Sequence, residues 1–246
     1  EISKGDGTAR YGVGGGIVWD SDPVSEYEEC RNKARILETR WPEFDLLETL
    51  RWSAEEGFYL LDSHMQRLKR SASFFGYRFS EKRVLTALNR AVAGVGDPGS
   101  GSRNPSRTHR IRLLVNETGK IRTSVDPVPP AKPVFRICLA REPVDAGDVF
   151  MYHKTTNRSV YERARAASPD MDDVMLFNSN GEITETTIGN LVFEIDGTKV
   201  TPPVKCGLLP GVMREHSLAT GEITEQVVRV GDLSRVTQIW VINNRK

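Results

Sequence analysis

Tyr152-His153-Lys154-Thr155-Thr156-Asn157-Arg158 is the stretch on which the reading of this chain turns, because it sets a lysine in a turn that hands over to a helix. A lysine held at such a junction can form a Schiff base with an aldehyde if its amine is desolvated enough to be neutral. Taken alone, a lysine in a turn is an ordinary solvated charge, so its meaning depends on what accompanies it.

Downstream, Asn180-Gly181 makes a tight hairpin, and Glu182-Ile-Thr-Glu185-Thr-Thr-Ile-Gly-Asn190 follows it. Glu185 falls at the end of a short strand, where a carboxylate can keep a pyridine nitrogen protonated and so turn the ring into an electron sink; by itself it is equally an exposed hairpin acid. Leu208-Leu-Pro-Gly-Val-Met-Arg214 is a proline-glycine turn opening a helix, and the unpaired amides of a helix N-terminus make a phosphate seat. Pro-Gly turns also open many ordinary helices. Upstream, His64-Met-Gln-Arg67-Leu68 offers Arg67 as a forked donor to the same phosphate. The other reading puts Arg67 on a solvated basic helix face with Lys69 and Arg70.

The 246 residues suffice for one large domain or two small ones. A formal net charge of +1 with both signs dispersed gives no sign of a polyanion-binding protein, so a nucleic-acid partner is not expected. Cys30, Cys138 and Cys206 are far apart and form no CxxC pair, and His64, His109, His153 and His216 are equally scattered. Neither a disulfide framework nor a metal site is indicated, and a reducing cytoplasm fits. Apolar runs such as Val174-Met-Leu-Phe177 are too short to cross a bilayer, and no signal peptide opens the chain. The chain starts at Glu1 without methionine and stops at Lys246 directly after the strand-like Gln238-Ile-Trp-Val-Ile242, so a fragment is expected.

Residues 1–40 open with Gly12-Val-Gly-Gly-Gly16 and a short apolar strand, followed by a helix from Glu26 to Leu37 started near Asp22-Pro23 and carrying pairs such as Glu29 with Lys33. Strands are expected at Phe44–Trp52 and Phe58–Leu61. A helix from Ser63 carries Met65, Leu68, Ala72 and Phe75 on one face, and another runs from Glu81 to Val92. Gly94–Ser106 reads as a surface loop, Arg110–Asn116 and Lys120–Val125 as strands, and Pro127–Pro133 as an interdomain linker. Beyond it come strands at Arg136–Ala140, Asp173–Phe177, Asn190–Ile195, Lys199–Thr201, Thr224–Val230 and Gln238–Ile242, with helices at Arg158–Ala167 and after Gly211. Strands outnumber helices and do not alternate regularly with them, which is an α+β pattern. The division is residues 1–40, a small α/β domain at 41–130 and a larger domain at 131–246.

Two motif classes are rejected. Gly12–Gly16 lacks the Gly-Lys-Ser/Thr of a P-loop and precedes a strand rather than a helix, so it is no nucleotide fingerprint. No Gly-x-Ser-x-Gly elbow exists, which removes the footing for a serine hydrolase.

In this order and spacing, the segments around Lys154, Glu185–Phe193, Thr201-Pro-Pro and Leu209–Arg214 resemble the fold-type IV pyridoxal-phosphate family. Its members include branched-chain aminotransferases, D-amino-acid aminotransferases and aminodeoxychorismate lyases. The resemblance spans Phe44 to Lys246. It implies a two-domain fold similar to D-amino-acid aminotransferase, with pyridoxal 5'-phosphate as cofactor. Lys154 is then the Schiff-base lysine and general base, Glu185 the partner of the pyridine nitrogen, and Arg67 with the amides at Val212 and Met213 the phosphate ligands. Asn243 and Asn244 stand where relatives place a last phosphate-side turn and often carry Ser or Thr. Arg158, Tyr152 and Thr49 are candidate substrate contacts by position.

Within the family, Asn157-Arg158 after the lysine is similar to the lyases, where branched-chain aminotransferases usually show Gly-Asn-Tyr. Met213 stands where aminotransferases commonly place threonine, so only its backbone amide can serve the phosphate. Ahead of this region, Arg10-Tyr-Gly-Val-Gly-Gly-Gly-Ile-Val-Trp-Asp-Ser-Asp-Pro23 with Glu26-Tyr-Glu-Glu29 and Lys33 resembles the last strand and helix of chorismate-binding synthases. There the equivalents of Glu29 and Lys33 help bind magnesium and chorismate, but this remnant is too short to be assigned chemistry. Together the resemblances imply the C-terminal part of a fused synthase–lyase acting on 4-amino-4-deoxychorismate and releasing 4-aminobenzoate, the folate precursor, and pyruvate. They also imply a homodimer, since the family places its cofactor near a two-fold interface. The alternatives are an aminotransferase on the same fold, a non-catalytic interaction module, and a stub of a chorismate enzyme with a degenerate tail.

Overall fold

The computed structural model describes residues 2–3, 8–16, 19, 22–34, 42–93, 95, 108–128, 130 and 134–243. The chain divides into two compact units, Glu1–Glu43 and Phe44–Lys246. In the first, β1 (Ile2–Ser3) pairs antiparallel with β2 (Thr8–Ala9), and α1 spans Pro23–Ala34. Asp22 starts α1 as its composition predicts: Oδ2 accepts from the Ser25 amide at 2.9 Å and from the Ser25 hydroxyl at 2.8 Å, with Pro23 in the first turn, where its missing N–H costs nothing. The expected continuation to Leu37, the strand after Gly16 and the Lys33 side chain lie outside the described residues, as does most of Gly94–Ser106.

The second unit begins with a four-stranded antiparallel sheet, ordered β4-β3-β5-β6, from β3 (Leu46–Ser53), β4 (Gly57–Phe58), β5 (His109–Val115) and β6 (Ile121–Pro127). Strand side chains alternate between faces, so Leu46, Leu50, Ile111, Leu113 and Val115 share one side. There they bury against Met65, Leu68 and Ala72 of α2 (Leu61–Phe75) and Val84 and Leu88 of α3 (Glu81–Val92). The strand expected at Phe58–Leu61 shortens to β4 because Leu60 is left-handed (φ 52) and turns the chain into α2 at Leu61, ahead of the expected Ser63.

The other sheet has seven strands: β7 (Ile137–Leu139), β8 (Asp173–Phe177), β9 (Ile183–Thr186), β10 (Asn190–Ile195), β11 (Thr198–Thr201), β12 (Thr224–Glu225) and β13 (Val236–Ile242). Their order is β12-β11-β10-β9-β8-β7, with β13 also paired to β10. Among the described strands of this sheet, β7·β8 and β11·β12 pair parallel and the other pairs antiparallel. Helices α4 (Ser159–Ala166) and α5 (Val212–Ala219) complete this α+β arrangement. The strand expected over Thr224–Val230 stops at Glu225. Val228 is instead sunk in the core beside Ile183 and Leu191, and Asp232 accepts the Arg229 amide at 2.8 Å, coiling residues 230–235 into a 3-10 turn.

Lys154 sits where these two layers are stitched together. Its carbonyl accepts the Leu47 amide at 2.9 Å, and the Thr156 amide donates to the Asp45 carbonyl at 2.9 Å. In return the Thr156 hydroxyl accepts the Asp45 amide at 2.8 Å. The turn thus continues the first sheet's hydrogen bonding while its chain leads into α4 of the second.

Candidate active site

A pocket opens between the start of α5, the β9–β10 turn and Thr49 of β3. Lys154, Glu185, Arg67, Val212 and Met213 all line it. So do Thr49, Arg158 and Asn243. Tyr152 does not line it: its hydroxyl donates to the Ala146 carbonyl at 2.6 Å, and its ring packs against the cluster of Ala140, Val144, Met151, Tyr161, Val174 and Leu176, directly after the 3-10 turn at Val149–Met151. Asn244 lies outside the described residues.

The electrostatics of the lining follow from lost hydration and from neighbours. Lys154, partly exposed in the pocket wall, has its amine pushed down to about 8, by desolvation first and then by the Arg67 and Arg158 charges, against the opposing pull of Glu48 and Glu185. Burial pushes the Glu185 carboxyl up to about 7, against Tyr161, the Leu209 amide, Lys154 and Arg158, which favour its charged form. Lys154 and Glu185 both titrate close to neutrality, which is what proton chemistry at ordinary pH requires of a site.

Arg67 is held from behind. Glu48 accepts from its Nε at 2.9 Å and its Nη2 at 2.6 Å, and from His64 Nδ1 at 2.7 Å, with Glu48 and His64 each 1% exposed. Nη1 donates to the Pro210 carbonyl at 3.2 Å, tying α2 to the turn before α5. At the opposite end of the pocket, Asn190 donates to Glu185 Oε2 at 3.1 Å and to the Leu209 carbonyl at 2.9 Å. A Cβ on Gly211 would overlap the Asn190 carboxamide oxygen, so glycine is required there by close approach, not by backbone angle. Gly211→Ala is therefore expected to destabilise the protein by about 1–3 kcal/mol. Combined with Asn190→Ala the overlap disappears, and the two losses should fail to add; strict additivity in denaturant melts would contradict this account.

Glu48, His64, Tyr161, Asn190 and the Thr186-Thr187 pair gained no role in the sequence reading. For Glu48 a signal existed: an acid between Leu46 and Leu50 on the core face of an apolar strand calls for a buried cation. Tyr161 carried none, since its partner Glu185 is distant in sequence, and Asn190, close to Glu185 in the chain, meets the Leu209 carbonyl and Gly211 only in the fold.

The sequence profile described as amino-transferase class IV matches residues 45–246. The chain belongs to the amino-transferase class IV family. A profile described as chorismate binding enzyme matches residues 2–39 of this class IV chain. A Schizosaccharomyces pombe protein provisionally named aminodeoxychorismate lyase is 29% identical over 82% of the chain and 86% of its own length. The Saccharomyces cerevisiae aminodeoxychorismate lyase is 24% identical over 76% of the chain, which spans 65% of that protein. Among solved structures, one from Mesorhizobium loti, provisionally described as an amino-acid aminotransferase, is 33% identical. It superposes with a TM-score of 0.73 over 82% of this class IV chain and 95% of its own.

Proposed function

We propose that this class IV chain is a pyridoxal-phosphate-dependent lyase that cleaves 4-amino-4-deoxychorismate to 4-aminobenzoate and pyruvate. The observation that carries the proposal is the convergence of Lys154, Glu185 and the start of α5 on one pocket. The donor set fits the cofactor. A lysine amine pushed down to about 8, and so partly neutral at ordinary pH, suits an aldehyde, a carboxylate suits a ring nitrogen, and a helix start with no side-chain cap suits a phosphate. When bound, pyridoxal phosphate supplies an aldehyde that binds an amine covalently and a pyridinium ring that accepts an electron pair.

The chain's own residues would then divide the work. Arg67 and the Val212 and Met213 amides would hold the phosphate, with Asn243, which also lines the pocket, and Asn244 as further proposed ligands. Glu185 keeps a proton at the ring nitrogen. Lys154 Nζ, once free and neutral, takes the proton from the substrate carbon that bears the amine. That C–H bond and the C–O bond to the enolpyruvyl group break, the carbocycle becomes aromatic, and the same proton delivered to the methylene carbon completes pyruvate. No co-reactant is consumed. Arg158 and Thr49 line the same pocket, which supports a role for them in meeting the substrate, since a guanidinium suits a carboxylate. The lyase reading over an aminotransferase is supported by the two lyase-named relatives and by the chorismate-type match at residues 2–39. That match also supports a fused parent and a first boundary near residue 40, and the division of the remainder at 41–130 and 131–246 is part of the proposal.

A cytoplasmic homodimer completes the proposal. Cys30, Cys138 and Cys206 are unpaired thiols, and no helix among the described residues is long and apolar enough to cross a membrane.

The purified protein, given pyridoxal phosphate and 4-amino-4-deoxychorismate, is expected to release equal amounts of 4-aminobenzoate and pyruvate. An amino acid that instead converts the cofactor to its amine form, with neither product released, would favour the aminotransferase.

A further inference from the structure

Tyr161 lies in α4, its ring buried with Met151, Val174 and Leu176, and its hydroxyl donates to Glu185 Oε1 at 2.7 Å. The same oxygen accepts the Leu209 amide at 3.2 Å, whereas Oε2 accepts only Asn190 Nδ2 among the described residues. A carboxylate has about four lone-pair sites, two on each oxygen. Oε1 is therefore saturated, and Oε2 retains an open acceptor direction. Arg158 braces the ring from the pocket side: its guanidinium carbon is 4.5 Å from the Tyr161 centroid, and Nη2 is anchored on the Thr187 carbonyl.

We propose that Tyr161, braced by Arg158, is a positioning residue for Glu185: it occupies Oε1, fixes the carboxylate's orientation and leaves Oε2 as the oxygen available to a ligand. Arg158 thereby acts on the acid as well as facing the substrate space. This deepens the pyridoxal-phosphate reading and rests on it for one consequence only, that Oε2 is the oxygen serving the ring nitrogen. A phenol donating to a carboxylate favours its ionised form. Around Glu185 the other charges are Lys154 from the turn, Arg158 ahead of α4 and Arg67 from α2. All are cations; of the neutral donors to the acid, Tyr161 is the ionisable one, beside the Leu209 amide on the same oxygen and Asn190 on the other.

The test uses the full chain without cofactor, its glutamate carboxyls labelled with carbon-13 and the Glu185 resonance assigned by its loss in Glu185→Gln. Tyr161→Phe keeps the ring and removes the donor. It is expected to move the Glu185 titration upward by about one pH unit, and to weaken pyridoxal-phosphate binding about tenfold. A ring that only fills space would leave the titration where it was, and a folded Phe variant with that result overturns the proposal. Should the variant not fold, 3-fluorotyrosine placed at position 161 offers a more acidic donor and is expected to move the titration down; an unmoved resonance again overturns it. Failure of the wild-type protein to bind pyridoxal phosphate would sink the proposed function instead, while the carboxyl titration still decides the role of Tyr161.

Discussion

Lys154→Ala is expected to slow pyruvate release by about 10³-fold or more, and to abolish the visible absorbance of a lysine-bound cofactor. The size of the effect follows from the site having no substitute. Among the described residues lining the pocket, Lys154 is the only primary amine, so no other side chain there can bind the aldehyde covalently in its place. The fold should survive, because the turn is held by backbone bonds from Leu47 and Thr156 and by the Thr156 hydroxyl, none of which needs the lysine side chain. Removing an amine that burial has already pushed down to about 8 also removes a desolvated group. The variant should therefore melt no lower than wild type. Steady-state rates and a thermal melt on one preparation check both points. A rate within tenfold of wild type would place the reacting amine elsewhere.

Glu48→Ala is expected to be the most destabilising single change in the site, at about 3–5 kcal/mol. Glu48 is enclosed by Arg67 and His64, and truncation leaves the Arg67 guanidinium, 5% exposed, with no carboxylate behind it. Burial works against the Glu48 charge, but the Arg67 and His64 partners outweigh it and hold the carboxyl at about 2, below its ordinary 4.5. A carboxyl depressed in the folded state stabilises above its unfolded value and loses that contribution as pH falls through the folded one. Wild-type stability should therefore drop between about pH 4.5 and about pH 2 more steeply than that of the Ala variant. Denaturant unfolding across that range measures the difference, and equal slopes would remove Glu48 from the account.

The two variants probe the pocket from different sides. Lys154 is the proposed chemistry, and Glu48 holds the guanidinium that ties α2 to the turn before α5. A Glu48 variant that stays folded should lose cofactor affinity before it loses anything else, since Arg67 would swing free.

What could be read from sequence were features whose cause is local. The helix α3 appears with its expected bounds, Glu81–Val92, because its apolar face repeats at helical spacing. Strands β8 and β10 follow from unbroken apolar runs, and the start of α1 from Asp22-Pro23. The segments that resemble a known family also carried the family itself, matched over residues 45–246. Tertiary structure decided the rest, because the deciding contacts join residues far apart in the chain. Glu48, His64 and Arg67 become one ion cluster only when α2 lies on β3. Tyr161 reaches Glu185 from α4, Asn190 joins that carboxylate to the Leu209 carbonyl, and Gly211 must lack a side chain only because Asn190 comes to rest against it. Tyr152, two residues before Lys154, shows the converse: nearness in sequence did not bring it into the pocket, since the turn before it fixes its direction by packing rather than by pattern.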